Sequence, residues 1–479
     1  MKKICDGKKI VVLGCARSGE ATARWALDQG AKVVLSDIKP LTAWPDELVT
    51  WAKDKADVTL DAGGHNLEQW QDADMVVVSP GIPLDIEPVR FMREKGVRVT
   101  GELFLAASLW KGRMAGITGT NGKTTTTKLL GEICRAAGLD TVVAGNIGEP
   151  FINSVMADEV HGNDGQRVAV LELSSFQLEN FEQRPLFEGW RIPHFDVMAW
   201  LNFAPDHLDR YVDLRHYGDA KARFMEFQTD SDWVILNRDC RQMDLWEEKA
   251  RAKKLYFGVM RDDAPSGAWF LKGGGEMILR MSGDREERYD LSGWRLKGVH
   301  NLENLAAAML SARCLEIEKQ AIERAIAGFS PPSHRLEFVT EKQGIIFYDD
   351  SKATNVGAVL TAIKAMDRPV VLIAGGRGKG EDYSALANSE VCERLKAVVL
   401  IGEEADRLEK VFASCVPTVR LQTDGDVAGC QIMKKAVEKA MERAFAGDVV
   451  LLSPACASFD LFRNYEERGR AFKEAALGL

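Results

Sequence analysis

Short apolar runs alternate with longer stretches of helical periodicity along most of this chain. Lys9-Ile-Val-Val-Leu13 ends at Gly14 and is followed by a helical stretch from Gly19 to Gln29, which Gly30 stops. Lys32-Val-Val-Leu-Ser-Asp37 is a second run with an acid at its end, and Met75-Val-Val-Val78 a third, closed by Ser79-Pro-Gly81. Apolar runs bounded by turn residues, with helices between them, predict a parallel sheet covered on both faces. Ligands of such sheets sit at the carboxyl ends of the strands.

The pattern restarts near Arg113. Gly116-Ile-Thr118 leads into Gly119-Thr-Asn-Gly-Lys-Thr-Thr125 and then a helix to Ala137; Val168–Glu172 and Trp233–Leu236 read as further strands. The segment from Leu255 to Gly298 alternates apolar and polar residues among glycines, which predicts a small antiparallel appendage, and Asn301–Leu315 reads as helix. Pro331-Pro332 breaks the chain. Beyond it Ile345–Tyr348, Val370–Ile373, Ala397–Ile401 and Asp448–Leu452 repeat the strand pattern. The expectation is α/β, with three consecutive α/β domains over residues 1–110, 111–331 and 332–479.

Composition narrows the classes. The 479 residues are 46% hydrophobic and 28% charged with a net charge of -9, an ordinary globular balance that argues against nucleic acid as a partner. Nine cysteines without a C-x-x-C pair indicate neither a zinc site nor a disulfide framework, which suits a reducing, cytoplasmic setting. The run Ile10–Leu13 is too short for a signal segment, and no stretch approaches the ~18 apolar residues a membrane helix needs. No membrane is therefore expected as a partner.

The most specific local chemistry is the Gly119–Thr125 loop between a strand and a helix. Glycines there let backbone N–H groups close around phosphate oxygens, and the helix N-terminus adds partial positive charge. Lys123 would reach the β- and γ-phosphates of ATP, and the Thr124 hydroxyl would help hold Mg²⁺. The strict phosphate-loop pattern wants glycine six residues before Lys123, where Ile117 stands. Glu172, at a strand end, is placed to help hold a metal, although such acids are common. Read alone, His207 is more ordinary as a structural histidine, and Lys221 as a solvated helix residue.

Taken in order, Gly119-Thr-Asn-Gly-Lys-Thr124, Gly145-Asn-Ile-Gly148, Glu172-Leu-Ser-Ser175, Asp206-His-Leu-Asp209, His300-Asn-Leu-Glu-Asn304, His334-Arg335 and Asp350-Ser-Lys-Ala-Thr354 span nearly the whole chain. This series resembles the Mur ligases of peptidoglycan synthesis. The last block, Leu452-Ser-Pro-Ala-Cys-Ala-Ser-Phe-Asp460 with Phe462-Arg-Asn-Tyr-Glu-Glu-Arg-Gly469, is similar to the family's D-glutamate-adding branch.

The resemblance implies a Rossmann-like UDP domain, a central P-loop ATPase-like domain and a Rossmann-like C-terminal domain. It implies that Gly119, Thr120, Asn121, Gly122, Lys123, Thr124, Thr125, Asn301, Asn304, Arg335, Asp350 and Lys352 bind ATP. Thr124, Glu172, His207 and Lys221 would serve Mg²⁺, with Lys221 carbamylated by CO₂, and Lys123, Glu172, His207 and Lys221 would be catalytic. Arg17, Ser18, Asp37, Lys39, Ser79 and Gly81 would hold the UDP moiety, and Asn146 and Gln177 the muramoyl-alanine arm. The residues themselves add an expectation for D-glutamate: Lys379, in Gly375-Gly-Arg-Gly-Lys-Gly380 after an apolar strand, would pair with one carboxylate, Thr354 and Ser458 would offer hydroxyls and Tyr465 its backbone N–H, against the alternative of an ordinary solvated loop lysine. The implied partners are UDP-N-acetylmuramoyl-L-alanine and D-glutamate, the implied chemistry an acyl phosphate attacked by an amine, and the implied state a monomer.

Three departures bear on this. The first loop is Gly14-Cys-Ala-Arg-Ser-Gly19 rather than G-x-G-x-x-G; Lys39 stands where Arg is expected; and Tyr465 replaces Phe. Other readings stay open on the residues alone: an amide ligase for another amino acid or folate, a nicotinamide-dependent oxidoreductase read from Gly14 and Asp37, or a non-catalytic nucleotide-binding module.

Overall fold

A computed structural model describes residues 3–161, 167–207, 210–258, 266–270, 275–281, 286–294, 296, 298–330, 333–422 and 428–479. Leu208 and Asp209 of the Asp206–Asp209 motif, and the predicted break at Pro331 and Pro332, lie outside these residues. The strands form three sheets in chain order. The first holds β1 (Lys9–Leu13), β2 (Lys32–Asp37), β3 (Val58–Ala62), β4 (Met75–Val78) and β5 (Arg98–Gly101), all parallel, in the order β3-β2-β1-β4-β5. Every residue of β4 is buried, as an uninterrupted Met-Val-Val-Val run demands when helices cover both faces.

The second sheet holds β6 (Arg113–Thr118), β7 (Thr141–Gly145), β8 (Val168–Glu172), β9 (Val197–Trp200) and β10 (Trp233–Asn237), followed by β11 (Lys253–Gly258), β12 (Gly267–Phe270), β13 (Glu276–Arg280) and β14 (Glu286–Asp290). Their order is β14-β13-β12-β11-β10-β9-β6-β8-β7. The predicted small antiparallel appendage is corrected here in part. Strands β11 and β12 continue the central sheet in parallel, Trp233 pairing with Lys253 and Tyr256 with Gly267, and only the pairings of β13 with β12 and with β14 are antiparallel. Leu255, Phe257, Met277 and Leu279 are buried in the same cluster as the helix Val299–Cys314, so the segment cannot stand apart from the sheet.

The third sheet holds β15 (Glu337–Lys342), β16 (Ile345–Asp349), β17 (Val370–Gly375), β18 (Leu395–Ile401), β19 (Thr418–Arg420) and β20 (Val449–Leu452), in the order β15-β16-β20-β17-β18-β19. Only β15 is antiparallel to its neighbour. Cys392 and Cys415 form a disulfide beside this sheet, with Cα atoms 5.5 Å apart. That overturns the expectation of no disulfide. The two cysteines lie 23 residues apart and meet only because the chain returns past the helix Ser389–Cys392 after the helix Ala405–Phe412.

In each sheet the strand order reverses direction at one point, and a crevice opens there at the carboxyl ends. These points are β1/β4 in the first sheet, β6 with its neighbours β8 and β9 in the second, and β20 with β16 and β17 in the third. The segments that follow these strands carry most of the predicted site residues; Asp37 ends β2 and Lys39 follows it, Asn146 follows β7, Lys221, Asn301 and Asn304 lie on helices, and Arg335 precedes β15.

Candidate active site

The loop after β6 turns sharply before the helix Lys123–Ala136. Gly119 and Gly122 take φ of 145° and 86°, and a Cβ on Gly122 would collide with Asn304 Oδ1. The extension of β9 pins this loop. Asn121 N donates to Asn202 Oδ1 at 2.8 Å, Asn202 Nδ2 returns a bond to Asn121 O at 3.0 Å, and Thr120 Oγ1 donates to Ala204 O at 3.1 Å. Lys123 folds back over the loop, its Nζ donating to Gly119 O at 2.7 Å and Thr120 O at 2.8 Å. Burial holds the Lys123 ammonium below its usual pKa, opposed by Glu172 and Asp206. An incoming phosphate would replace those two carbonyls as its partner.

Glu172 ends β8 and is 1% exposed. Its Oε1 accepts from Asn146 Nδ2 at 2.9 Å, while Oε2 is buried with no partner among the described residues. A buried unpartnered carboxylate oxygen beside a phosphate loop fits a hard divalent cation, which takes oxygen ligands. His207 lies on the far side of the loop with φ of 55° and its ring edge on Phe176, 4.7 Å between centroids. Burial, only partly opposed by Asp206, brings His207 down to about 4, so the imidazole is neutral near pH 7 and offers a lone pair.

Lys221 is not the solvated residue its helix position suggests. It is 1% exposed, donates to Gly119 O at 2.9 Å and sits 4.7 Å from the centroid of the Tyr217 ring. Burial, with Lys123 adding to it, holds its amine well below the ordinary lysine range. No carboxylate among the described residues is within ion-pair distance of it.

The third sheet supplies the opposite wall. Arg335 Nη2 donates to Thr124 Oγ1 at 3.2 Å, a bond between residues 211 apart. Asp350 is buried between Ser453 Oγ, 2.9 Å from its Oδ2, and Leu336 N, 3.2 Å from its Oδ1; burial pushes its carboxyl up to about 7. Lys352 Nζ lies 3.8 Å from the Tyr465 ring centroid, and burial lowers it to about 8. Lys379 Nζ reaches Thr354 Oγ1 at 3.4 Å and Asp206 Oδ1 at 3.6 Å. Ser458 is 2% exposed, and its Oγ has no partner among the described residues.

One cavity of about 760 Å³ collects most of this. Thr120–Lys123, Thr125, Asn146, Glu172, His207, Asn301, Asn304, Arg335, Asp350, Lys352, Thr354 and Lys379 all line it. Gly119, Thr124 and Lys221 lie just beneath its floor, at the loop that forms it. Ser458 and Tyr465 stand behind it on the third sheet's side. Gln177 is not brought into the cavity. It is buried in a capping box, its Oε1 accepting from Ser174 N at 3.0 Å and Ser174 Oγ at 3.1 Å.

The residues predicted for UDP form a separate group at the carboxyl ends of the first sheet. Asp37 accepts from Cys15 N at 2.9 Å and Lys39 N at 3.0 Å, and so shapes the turns around the crevice. Ser79 Oγ donates to Gly14 O at 3.4 Å, and a Cβ on Gly14 would stand 2.8 Å from Ser79 Oγ. Ser18 opens the first helix beside Arg17, and Lys39 and Gly81 are exposed at the rim. Arg17 reaches across to the central unit, donating to Gly148 O at 3.1 Å and pairing with Glu149 at 2.7 Å.

Sequence reasoning passed over Asn202, Asn355 and Asp206 as structural members of the site. Asn355 Nδ2 bonds Asn121 Oδ1 and Asp206 Oδ2, each at 3.3 Å, tying the third unit to the phosphate loop. Its position directly after Thr354, at the cap of the helix Val356–Lys364, was a usable signal.

Comparison with known proteins agrees with this geometry. Residues 8–101 match the MurD-like N-terminal domain of Mur ligases, 117–312 the Mur ligase middle domain, and 334–456 the Mur ligase glutamate ligase domain. A UDP-N-acetylmuramoylalanine–D-glutamate ligase of Geotalea daltonii is 40% identical over 474 residues, covering 99% of this chain and 98% of that one. The chain belongs to the Mur ligase family. A ligase of the same description from Pelotomaculum thermopropionicum is also 40% identical to this Mur ligase, covering 100% of this chain and 99% of its own. Among solved structures, a pseudomurein peptide ligase type C from Methanothermus fervidus shares the fold at TM-score 0.60 and 19% identity, covering 98% of this chain and 100% of its own. MurF from Acinetobacter baumannii does so at TM-score 0.60 and 14% identity, covering 99% and 92%.

Proposed function

We propose that this Mur ligase uses ATP to join D-glutamate to UDP-N-acetylmuramoyl-L-alanine, a step of peptidoglycan precursor synthesis. The observation that carries the reading is one cavity with the glycine-rich loop after β6 on one wall and side chains of the third sheet's loops on the other. Lys123 and the unpartnered Glu172 Oε2 stand on the first, Lys379 and Thr354 on the second.

A carboxylate does not react with an amine at neutral pH because its oxygen is a poor leaving group. Transfer of the γ-phosphoryl group of ATP to the alanyl carboxylate makes phosphate the leaving group instead. The D-glutamate amine then attacks the acyl carbon, the tetrahedral intermediate collapses, and phosphate departs with the amide formed. Such chemistry needs position and charge more than a nucleophilic side chain. Lys123 and the loop N–H groups would hold the phosphates, Thr124 and Glu172 would hold Mg²⁺ with His207 beside it, and Asn301 and Asn304 would face adenine. Mg²⁺, when bound, supplies charge neutralisation at the transferring phosphoryl group. Arg335, Asp350 and Lys352 would close over the nucleotide from the third unit, so that water is kept from the acyl phosphate.

Lys221 would carry a carbamate. Its buried amine is drawn toward the neutral form, the form that adds to the carbon of CO₂ with loss of a proton. The product is an anion with hard oxygen donors, at a position where an ammonium would repel both Lys123 and a cation. Arg17, Ser18, Asp37, Lys39, Ser79 and Gly81 would bind the UDP moiety, with Asn146 and Gln177 toward the muramoyl-alanine arm. Lys379, Thr354, Ser458 and Tyr465 would take the two carboxylates of D-glutamate. Residues 1–110, 111–331 and 332–479 would be the corresponding domains. The enzyme would act as a cytoplasmic monomer; among the described residues no helix is long and apolar enough to cross a membrane.

The test is phosphate release from ATP with UDP-N-acetylmuramoyl-L-alanine, with and without D-glutamate, against L-alanine, meso-diaminopimelate and a folate acceptor pair. Strong dependence on D-glutamate is expected. Equal turnover with another amino acid, or with none, would defeat the reading.

A further inference from the structure

Arg468 is 1% exposed, among the largest fully buried side chains of the protein. None of its four side-chain hydrogen bonds goes to a carboxylate. Nε donates to Ser351 Oγ at 3.0 Å and Nη2 to Ser351 O at 2.8 Å; Nη1 is shared between Cys456 O at 3.1 Å and Ala457 O at 3.2 Å. Asp460 and Asp349 favour the charge from beyond hydrogen-bond reach. A buried charge whose hydrogen bonds all go to neutral acceptors is costly to keep, and it takes several of them to offset its desolvation. Burial draws the guanidinium down to about 10, which still leaves it charged at neutral pH.

The acceptors belong to two loops of different duty. Ser351 lies between Asp350 and Lys352, on the nucleotide side. Cys456 and Ala457 precede Ser458, on the acceptor side. A third loop joins them: Arg377 N donates to Ala457 O and Ala457 N to Arg377 O, both at 2.9 Å, on the segment that carries Lys379. A Cβ on Gly376 would come within 3.2 Å of Arg468 Nη1, so this loop packs directly on the guanidinium. Ser351 Oγ in turn donates to Tyr465 O at 2.8 Å, at the start of the helix that bears Arg468. The Ser458 hydroxyl, next along the chain, has no partner among the described residues.

We propose that Arg468 is a positioning residue that sets the distance between the nucleotide turn and the acceptor loop, so that the incoming amine meets the activated carboxylate. A planar guanidinium holds two backbones at a spacing and in directions fixed by its rigid fork; an ammonium is a single point charge with rotatable donors and fixes neither. The inference rests on the acceptor reading given under the proposed function. It adds that ATP use and amide formation are kept in step by a side chain that touches neither substrate.

The experiment compares the full chain with its Arg468→Met and Arg468→Lys variants. It measures KM for D-glutamate, KM for UDP-N-acetylmuramoyl-L-alanine, and phosphate released per amide formed. Arg468→Met is expected to raise the D-glutamate KM about tenfold or more. The UDP-substrate KM, set at the distant first sheet, should stay within roughly twofold. Phosphate should exceed amide, because water attacks an acyl phosphate whose amine is misplaced, returning the carboxylate and free phosphate. A variant that has only lost folded protein shows a lower kcat with both KM values and equimolar products intact; that result overturns the proposal. Should Arg468→Met fail to fold, Arg468→Lys keeps the charge without the fork and is expected to show a smaller excess of phosphate. Equimolar products and unchanged KM values in that variant overturn it equally. An unaltered protein without D-glutamate-dependent phosphate release would instead defeat the acceptor reading, and this inference with it.

Discussion

Lys379 of the third unit stands 3.6 Å from Asp206 of the central unit, across the cavity where the phosphate loop lies. Burial pushes the Asp206 carboxyl up, but Lys379, with His207, Lys123 and Lys221, holds it below the ordinary range. The lysine expected to bind an incoming carboxylate is thus already facing one. An acceptor carboxylate would share or displace that partner.

Lys379→Ala is therefore expected to raise the D-glutamate KM far more than the ATP KM. Removing one partner of a desolvated charge pair costs about 2–5 kcal/mol, well over tenfold in affinity. Steady-state KM values for both substrates check it; small and equal changes would move the acceptor site elsewhere.

Lys123→Ala should lower D-glutamate-dependent phosphate release by at least about a hundredfold, the usual scale for losing a charge-stabilising donor. Its Nζ bonds only the loop's own carbonyls, so the folded state should survive. Near-normal turnover in a folded variant would remove the loop from the reaction.

Lys221→Ala should be nearly inactive and partly restored by a short added carboxylate such as formate. In the unaltered protein, ¹³CO₂ should give a carbamate carbon signal that the variant lacks. An unmodified amine in active enzyme would refute the carbamate, whereas the loss of activity alone would not establish it.

Glu102 predicts a pH effect on stability away from the cavity. Its buried carboxyl accepts from Ile152 N at 2.8 Å, and burial, opposed by backbone bonds from Ile152 and Phe151, pushes it from 4.5 up to about 7. The folded chain holds this proton more tightly than the unfolded chain. Its contribution is full below the unfolded pKa and is lost as pH rises through about 7. Glu102→Gln keeps an acceptor for Ile152 N without the titration. Its melting temperature should fall less than that of the unaltered protein between about pH 5 and 8. Parallel curves would count against the assignment.

Much of this protein can be read locally. The fully buried run of β4 and the phosphate loop between β6 and its helix follow from apolar spacing and glycine placement, because a side chain's periodicity decides which face it buries. The ordered motif series extends that reading to Glu172 and Arg335. Periodicity cannot say which distant groups meet. It left Lys221 on a solvated helix face, but the tertiary packing buries it under Gly119, 102 residues away. The resemblance, not periodicity, gave Gln177 to the muramoyl-alanine arm; its Oε1 accepts from Ser174 in a capping box. Periodicity detached the strands after β10, which pair in register with the central sheet. The Cys392–Cys415 bond, the Lys379–Asp206 contact and the Arg468 hub share one cause. Each depends on where separate loops converge, and convergence is set by how the sheets pack rather than by any short stretch of residues.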